Sequence, residues 1–295
     1  MAEASTLPRP PGGLPRWSGL VAGAAACGWA AWQLGLDPSD LVPSRGGLQV
    51  ARDLFSRALS PALTYEAADL PAGITPLPVK ALEAAWMTVK LAVAAMSLAI
   101  PLGLLLGFLA ARVTWTLDEG PGADRPAAGA LHRAKALVYG SVRVVIALLR
   151  SVHELLWAVL LLSALGLSPL TAVIAIVIPY AGTLAKVFSE MLDEAPRDAA
   201  LALRVAGAGP VQVFLLGLFP RALPDISAYA FYRFECALRS SAVLGFFGYP
   251  TLGYYLAASF ENLHYGEVWT YLYTLLGLVL LADFWSGALR KRLVG

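Results

Sequence analysis

From about residue 80 onward the chain alternates long apolar runs with short polar breaks, and a helix needs about 20 apolar residues to cross the hydrocarbon of a bilayer. Six segments predict such helices: residues 19–36, 84–111, 152–167, 170–187, 223–247 and 268–288. The third is short, and only Ser168 and Pro169 part it from the fourth, so Gly166 and Pro169 predict a tight reversal there. The first has a rival reading as a cleaved leader, because Ala24, Ala25, Ala26 and Cys27 faintly resemble a lipoprotein cleavage site. The apolar run before Cys27 is short for a leader, and it continues past Cys27 through Trp29 and Trp32, which favours an uncleaved span. The pattern therefore predicts an all-α, polytopic membrane protein. Its divisions are a polar N-terminus (1–18), a first transmembrane helix (19–36), a polar segment (37–79) and a membrane core (80–292).

Composition sharpens this picture. Apolar residues make up 58% of the chain and charged residues only 14%, against about a quarter charged in a soluble domain, so lipid is the solvent this sequence needs. A net charge of +2 gives no reason to expect nucleic acid. Cys27 and Cys236 both lie in apolar stretches and form neither a disulfide framework nor a metal site.

Charge in the loops predicts orientation. Arg112, Arg125, Arg133, Lys135, Arg143 and Arg150 crowd the region before the third segment, and Arg290, Lys291 and Arg292 end the chain. The loop between the fifth and sixth segments holds Glu261 and Glu267 without Lys or Arg. Six spans then place both termini and the basic loop in the cytoplasm and residues 37–79 outside. Residues 50–59 of that outer segment predict a short amphipathic surface helix. After Leu117 comes a polar turn at residues 118–122, and residues 130–149 then have helical spacing with interspersed basic residues, an interfacial helix leading into the third span.

The loop between the fourth and fifth segments (191–222) is structured. Pro196 suits a first helical turn, and Arg197 and Asp198 follow it, Asp198 favouring the helix dipole. Residues 199–206, with Leu201, Ala202 and Arg204 among them, form a strong helix-forming run that Gly207 is suited to end. Gly209 and Pro210 restart a helix that runs to Phe219, where Pro220 is expected to stop it. Read by itself, this is an amphipathic connector.

The loop also resembles the coupling loop of ATP-binding-cassette importer permeases. Gly207 and Pro220 hold that motif's glycine and proline, thirteen residues apart, and Ala202 holds its alanine. Leu201 stands where the motif has an acidic residue, with Asp198 one turn earlier, and Phe219 stands where it has leucine. The runs Arg150-Ser151-Val152-His153-Glu154, Lys186-Val187-Phe188-Ser189-Glu190, Tyr232-Arg233-Phe234-Glu235 and Arg239-Ser240-Ser241 resemble the permeases of phosphonate uptake systems. The likeness extends over residues 84–292. It implies a type I, MetI-like importer-permease fold in a bacterial inner membrane. It also implies a homodimer of permeases, a pair of ATPase subunits that bind ATP and Mg, and an external substrate-binding protein. The coupling residues it implies are Arg197, Asp198, Leu201, Ala202, Arg204, Gly207, Gly209 and Pro220. The permease subunit itself carries no cofactor in this reading. The sequence departs from the family at residues 178–182 and 245–253, where a substrate route is expected, so phosphite and other small oxyanions stay open beside phosphonate.

Charges at bilayer depth are costly and either pair or line a watery path. Lys90 lies in the second segment, Arg233, Glu235 and Arg239 in the fifth, and Asp283 near the end of the sixth. Glu235 and Arg239 are four apart and are expected to pair, leaving Arg233 free to meet an anion. Lys90 adds to that field or snorkels outward, and Tyr232, Ser240 and Ser241 supply hydroxyls to the path or to interhelical hydrogen bonds. Arg150 and Glu154 are also four apart, and their pairing competes with a metal or proton-relay reading of His153 and Glu154. Trp29, Trp32, Trp269 and Tyr271 read as interfacial anchors.

The sequence has no Gly-rich phosphate loop followed by Lys-Ser or Lys-Thr, and no nucleophile matched with a base at one depth. A secondary transporter of a small anion and a permease for an unrelated solute remain as alternatives, while an internal repeat that would favour the former is not evident. The orientation is testable with single cysteines in a background lacking Cys27 and Cys236. An impermeant thiol reagent applied to intact cells should label a cysteine at Ser44 and spare one at Ala128; the reverse pattern overturns the orientation.

Overall fold

In the computed structural model the described residues are 16–37, 42, 44–67, 73–116 and 130–294. The N-terminal residues 1–15 and the polar turn expected at 118–122 lie outside them. The chain forms two compact units, Met1–Phe55 and Ser56–Gly295. The first contains α1 (Arg16–Gln33) and nearly all of α2 (Arg45–Ser56). α2 is the expected amphipathic helix, begun five residues earlier than its pattern suggested.

The second unit holds α3 (Leu77–Ala110), the short α4 (Arg112–Thr116), α5 (Ala130–Ser151), α6 (Glu154–Leu165), α7 (Pro169–Glu194), α8 (Asp198–Val205), α9 (Pro210–Gln212), α10 (Phe219–Val243), α11 (Leu252–Glu261) and α12 (Tyr265–Val294). Among the described residues, Leu77–Ala110, Pro169–Glu194 and Tyr265–Lys291 are long and apolar enough to cross a membrane. The 18-residue α1 is not in that group. Neither is α10, which is long enough but carries Arg221, Asp225, Arg233, Glu235 and Arg239. α10 packs on α3, α7 and α12, which cover Glu235 and part of Arg233, while Arg221, Asp225 and Arg239 are exposed.

The third expected span is replaced by a bent pair. Arg133–Ser151 and Glu154–Leu165 meet at an 87° break and together make one broken apolar segment. The helix expected at the membrane surface is thus the first arm of this segment, and α5 packs along α7. His153 accounts for the break: its extended backbone starts a new helix, and its Nδ1 accepts the Leu155 N–H at 3.3 Å. The reversal after α6 forms as its residues predict. Gly166 has φ 77°, and Ser168 caps α7 by accepting the Thr171 N–H at 3.2 Å.

α7 is the central helix and touches α3, α5, α6 and α10. Small residues let α3 approach it: a Cβ on Gly103 would stand 2.7 Å from the Leu184 Cβ, and one on Gly107 3.1 Å from the Phe188 Cβ. Close backbone approach replaces the hydrophobic drive that lipid cannot supply between membrane helices. On α7's other side Gly182 admits α5, since a Cβ there would meet the Leu149 Cβ at 2.7 Å.

Before α12 the chain is strapped down. Ala62 N–H donates to the Gly266 carbonyl at 3.1 Å, Glu66 N–H to Glu267 Oε1 at 2.8 Å, and Tyr273 OH to the Ala58 carbonyl at 2.7 Å. Burial pushes the nearby Tyr65 hydroxyl up, which keeps it neutral at physiological pH. Tyr271, expected as an interfacial anchor, is instead a core residue, 2% exposed and stacked on Tyr255 with ring centres 5.7 Å apart.

The glycine contacts yield a stability test. Gly103→Val should cost about 1–3 kcal/mol by overpacking. Gly277→Ala, where nothing lies within 4 Å of the added carbon, should cost nothing. Thermal unfolding of the two purified variants checks the contrast.

Candidate translocation site

The break between α5 and α6 faces the middle of α7 and the second half of α10. Glu154, the first residue of α6, accepts a hydrogen bond from Ser240 Oγ at 2.8 Å through Oε1. Ser240 Oγ also lies 3.0 Å from Tyr180 OH, and His153 Nε2 is 3.4 Å from Glu154 Oε2. A polar chain thus links three helices through a largely apolar interior, each member satisfying its neighbour.

Arg233 lies two turns before Ser240 on the same face of α10. Its guanidinium stands 4.9 Å above the Tyr180 ring and 5.9 Å from the Tyr229 ring, an arrangement that holds a cation against aromatic faces. Its Nε is buried and makes no hydrogen bond. An aromatic cage therefore retains the charge while leaving donor capacity, in the fork geometry that matches tetrahedral oxyanions. Tyr229 in turn packs against the exposed Tyr232, with ring centres 6.0 Å apart and the planes tilted by 38°.

The remaining expected path residues divide. Ser240 belongs to the cluster, whereas Ser241 is fully buried with no hydrogen-bond partner for its Oγ. Lys90 is exposed on α3 and touches none of these groups. The expected Glu235–Arg239 pair is not formed. Glu235 is buried and turns to Arg290 of α12, its Oε1 3.9 Å from Nη2, an ion pair too long for a hydrogen bond. Arg239 is exposed and reaches only Cys236 Sγ, at 3.4 Å. Arg290 also lies 3.9 Å from Asp283. Helix spacing allowed the Glu235–Arg239 pair, but the α10–α12 contact offers the buried carboxylate a cation from a neighbouring helix. Arg150 likewise does not pair with Glu154, because the turn at His153 sends the carboxylate towards α10. Among the described residues no group of three His, Cys, Asp or Glu is arranged to hold a metal.

Sequence reasoning missed Tyr180 and Tyr229 as a cage, Glu154 as a partner of Ser240, and Arg290. Tyr180 had a signal: it follows Pro179 in an apolar run, at a position already marked as a departure.

A cavity of about 530 Å³ opens beside this cage. Tyr229 and Tyr232 line one end, and Glu194, Pro196, Arg221 and Asp225 the other, next to the loop before α8. That loop has the expected helix and elbow. Arg197 Nη2 donates to the Asp193 carbonyl at 3.3 Å, Asp198 opens α8, and Arg204 Nη1 donates to the Ala208 carbonyl at 3.2 Å. Gly207 has φ 85°, and Gly209 N–H donates to Gln212 Oε1 at 2.9 Å. Leu201, Ala202 and Val205 are exposed, with Val205 at 91%.

Pro220 does not stop the following helix, as its ring and missing N–H had suggested. Residues Val213–Leu218 form a wide π-helical turn in which the Phe219 N–H reaches back to the Phe214 carbonyl, and Pro220 then falls in the first turn of α10. Gly217 within this turn lets α8 seat on it: a Cβ there would stand 2.9 Å from the Ala200 Cα.

The described residues thus form a helical membrane bundle that holds a guanidinium against aromatic faces and carries a short helix with exposed apolar residues. Comparison with known proteins makes this specific. The profile of the binding-protein-dependent transport system inner membrane components matches residues 127–295. The phosphite transport system permease protein PtxC of Stutzerimonas stutzeri is 35% identical over 207 residues, 69% of this chain and 68% of that protein. The phosphate-import permease protein PhnE of Mycolicibacterium smegmatis is 29% identical over 225 residues, 76% of this chain but 39% of that protein. A chain of the MetNI methionine ABC transporter, in an inward facing conformation, superposes with a TM-score of 0.59 at 21% identity. The superposition covers 73% of this chain and 96% of that one, a likeness of fold. The chain belongs to the family of binding-protein-dependent transport system inner membrane components, the permease subunits of ATP-binding-cassette importers.

The pairing of Glu235 is open to direct measurement. Arg290→Gln should lower stability by about 1–3 kcal/mol by stranding a buried carboxylate. Arg239→Gln should stay within about 0.5 kcal/mol of the parent. Adding Glu235→Gln to Arg290→Gln should recover most of the loss. Heat denaturation of the purified variants ranks them.

Proposed function

We propose that this permease conducts a small phosphorus oxyanion, phosphite or a phosphonate, through the cluster formed by Arg233, Tyr180, Tyr229, Ser240 and Glu154. The observation that carries this reading is the Arg233 guanidinium, held by two aromatic faces with its Nε unbonded inside the bundle. Such a group attracts a tetrahedral anion, and Glu154, three contacts away through Tyr180 and Ser240, keeps the attraction short of capture, as a conducting site requires. The names of the phosphite and phosphate permeases among its relatives support the same substrate class.

In this reading two copies of the chain form the path, and an external binding protein delivers the solute. A pair of ATPase subunits binds ATP and Mg, because the chain lacks a phosphate-binding loop of its own. The exposed Leu201, Ala202 and Val205 of α8 dock on the ATPase, and Gly207 and the seat at Gly217 pass its motion to α10. Both termini face the cytoplasm of a bacterial cell, where the basic loops lie.

One set of variants tests both ends. Arg233→Gln should abolish uptake of labelled phosphite and methylphosphonate while the ATPase still co-purifies with the permease. Leu201→Asp with Val205→Asp should release the ATPase. Normal uptake by Arg233→Gln in a properly inserted protein overturns the assigned path.

A further inference from the structure

A second basic site lies away from the Arg233 cage. Where Gly182 brings α5 against α7, and α3 ends beside them, the three helices line an open cavity of about 210 Å³, roughly the liquid volume of seven waters. Arg143, Arg150, Lys186 and Ser189 line it, with Ala110 and Ala147 between them.

Its charges do not cancel. Lys186 pairs with Glu190 at 2.7 Å. Arg143 spends one donor on Tyr139 OH, at 2.9 Å, and lies 5.4 Å from that ring, which leaves most of its fork of five N–H groups unused. Arg150 is exposed and has no ion pair among the described residues. Three cations against one carboxylate leave a net charge of +2 (3 − 1) around one small cavity in an otherwise apolar helix bundle. Like charges gathered at this spacing repel one another unless an anion sits between them. The two Arg forks and the Lys point charge suit a tetrahedral group with several acceptor oxygens.

We infer that this cavity binds a phosphate-type group, at a site distinct from the cage around Arg233. Two sources carry that chemistry: a free oxyanion, or the headgroup phosphate of an anionic phospholipid drawn into a basic crevice between membrane helices.

The test uses the full chain lacking Cys27 and Cys236, with a single cysteine at the exposed, cavity-lining Ala147, in lipid nanodiscs. Its rate of maleimide labelling reads occupancy. In pure phosphatidylcholine, millimolar inorganic phosphate should slow labelling at least threefold if a free oxyanion fills the cavity. In discs containing phosphatidylglycerol, labelling should already be slow without phosphate if the headgroup fills it. Either result supports the site and names its source, provided that Arg143→Gln with Lys186→Gln restores fast labelling. Arg150→Gln, a single change at an exposed side chain, serves if the double variant does not fold. Protection in neither arm overturns the inference, as does protection that survives loss of the cations. Arg233→Gln should keep the protection, so a failure of the translocation reading and a failure of this site give different results.

Discussion

The contact between α3 and α7 sets the rest of the bundle. Gly103 and Gly107 remove the side chains that would hold the two backbones apart, and Leu184, Ala185 and Phe188 fill the space. In lipid no hydrophobic gain comes from hiding one apolar helix against another, so close van der Waals packing has to hold them together. α7 thereby becomes a fixed post. Gly182 on its second side admits α5, and Tyr180 between these contacts is pointed at α10.

With α7 fixed, a helix as polar as α10 becomes tolerable inside the bundle. Three of its charges find different answers. Arg233 is taken up by aromatic faces, Glu235 by Arg290 across the helix interface, and Arg239 by exposure. The first answer leaves a buried donor, the Arg233 Nε, without a hydrogen bond, and the second leaves a buried acceptor, the Glu235 Oε1, in an ion pair too long for one. The break at His153 serves the same end. It brings the carboxylate of Glu154 to Ser240, where an unbroken span would carry it away.

The coupling end depends on the same economy of space. The wide turn over Val213–Leu218 carries the chain through Pro220 without a stop, and α8 sits on this turn, which leads directly into the helix that carries Arg233. In the proposed function, a push on the exposed face of α8 would pass through the Ala200–Gly217 contact towards α10.

Much of this was legible in the order of residues. Apolar runs, the Gly166–Pro169 reversal, the α8 helix with its Gly207 end, and Arg233 as a cation without a carboxylate partner on its own helix all follow from local chemistry. Local propensities and hydropathy act over a few residues, and there the sequence is sufficient. The burial of Tyr271 and the partners of Glu154 and Glu235 were not legible, since each depends on a residue far along the chain; the 87° break at His153 and the wide turn before Pro220 are local geometries that hydropathy and spacing do not signal. Spacing of four along a helix says that Glu235 and Arg239 can meet. Only the packing of α12 beside α10 decides that Glu235 turns to Arg290, because the free energy of a buried charge is set by whatever cation the fold brings within reach.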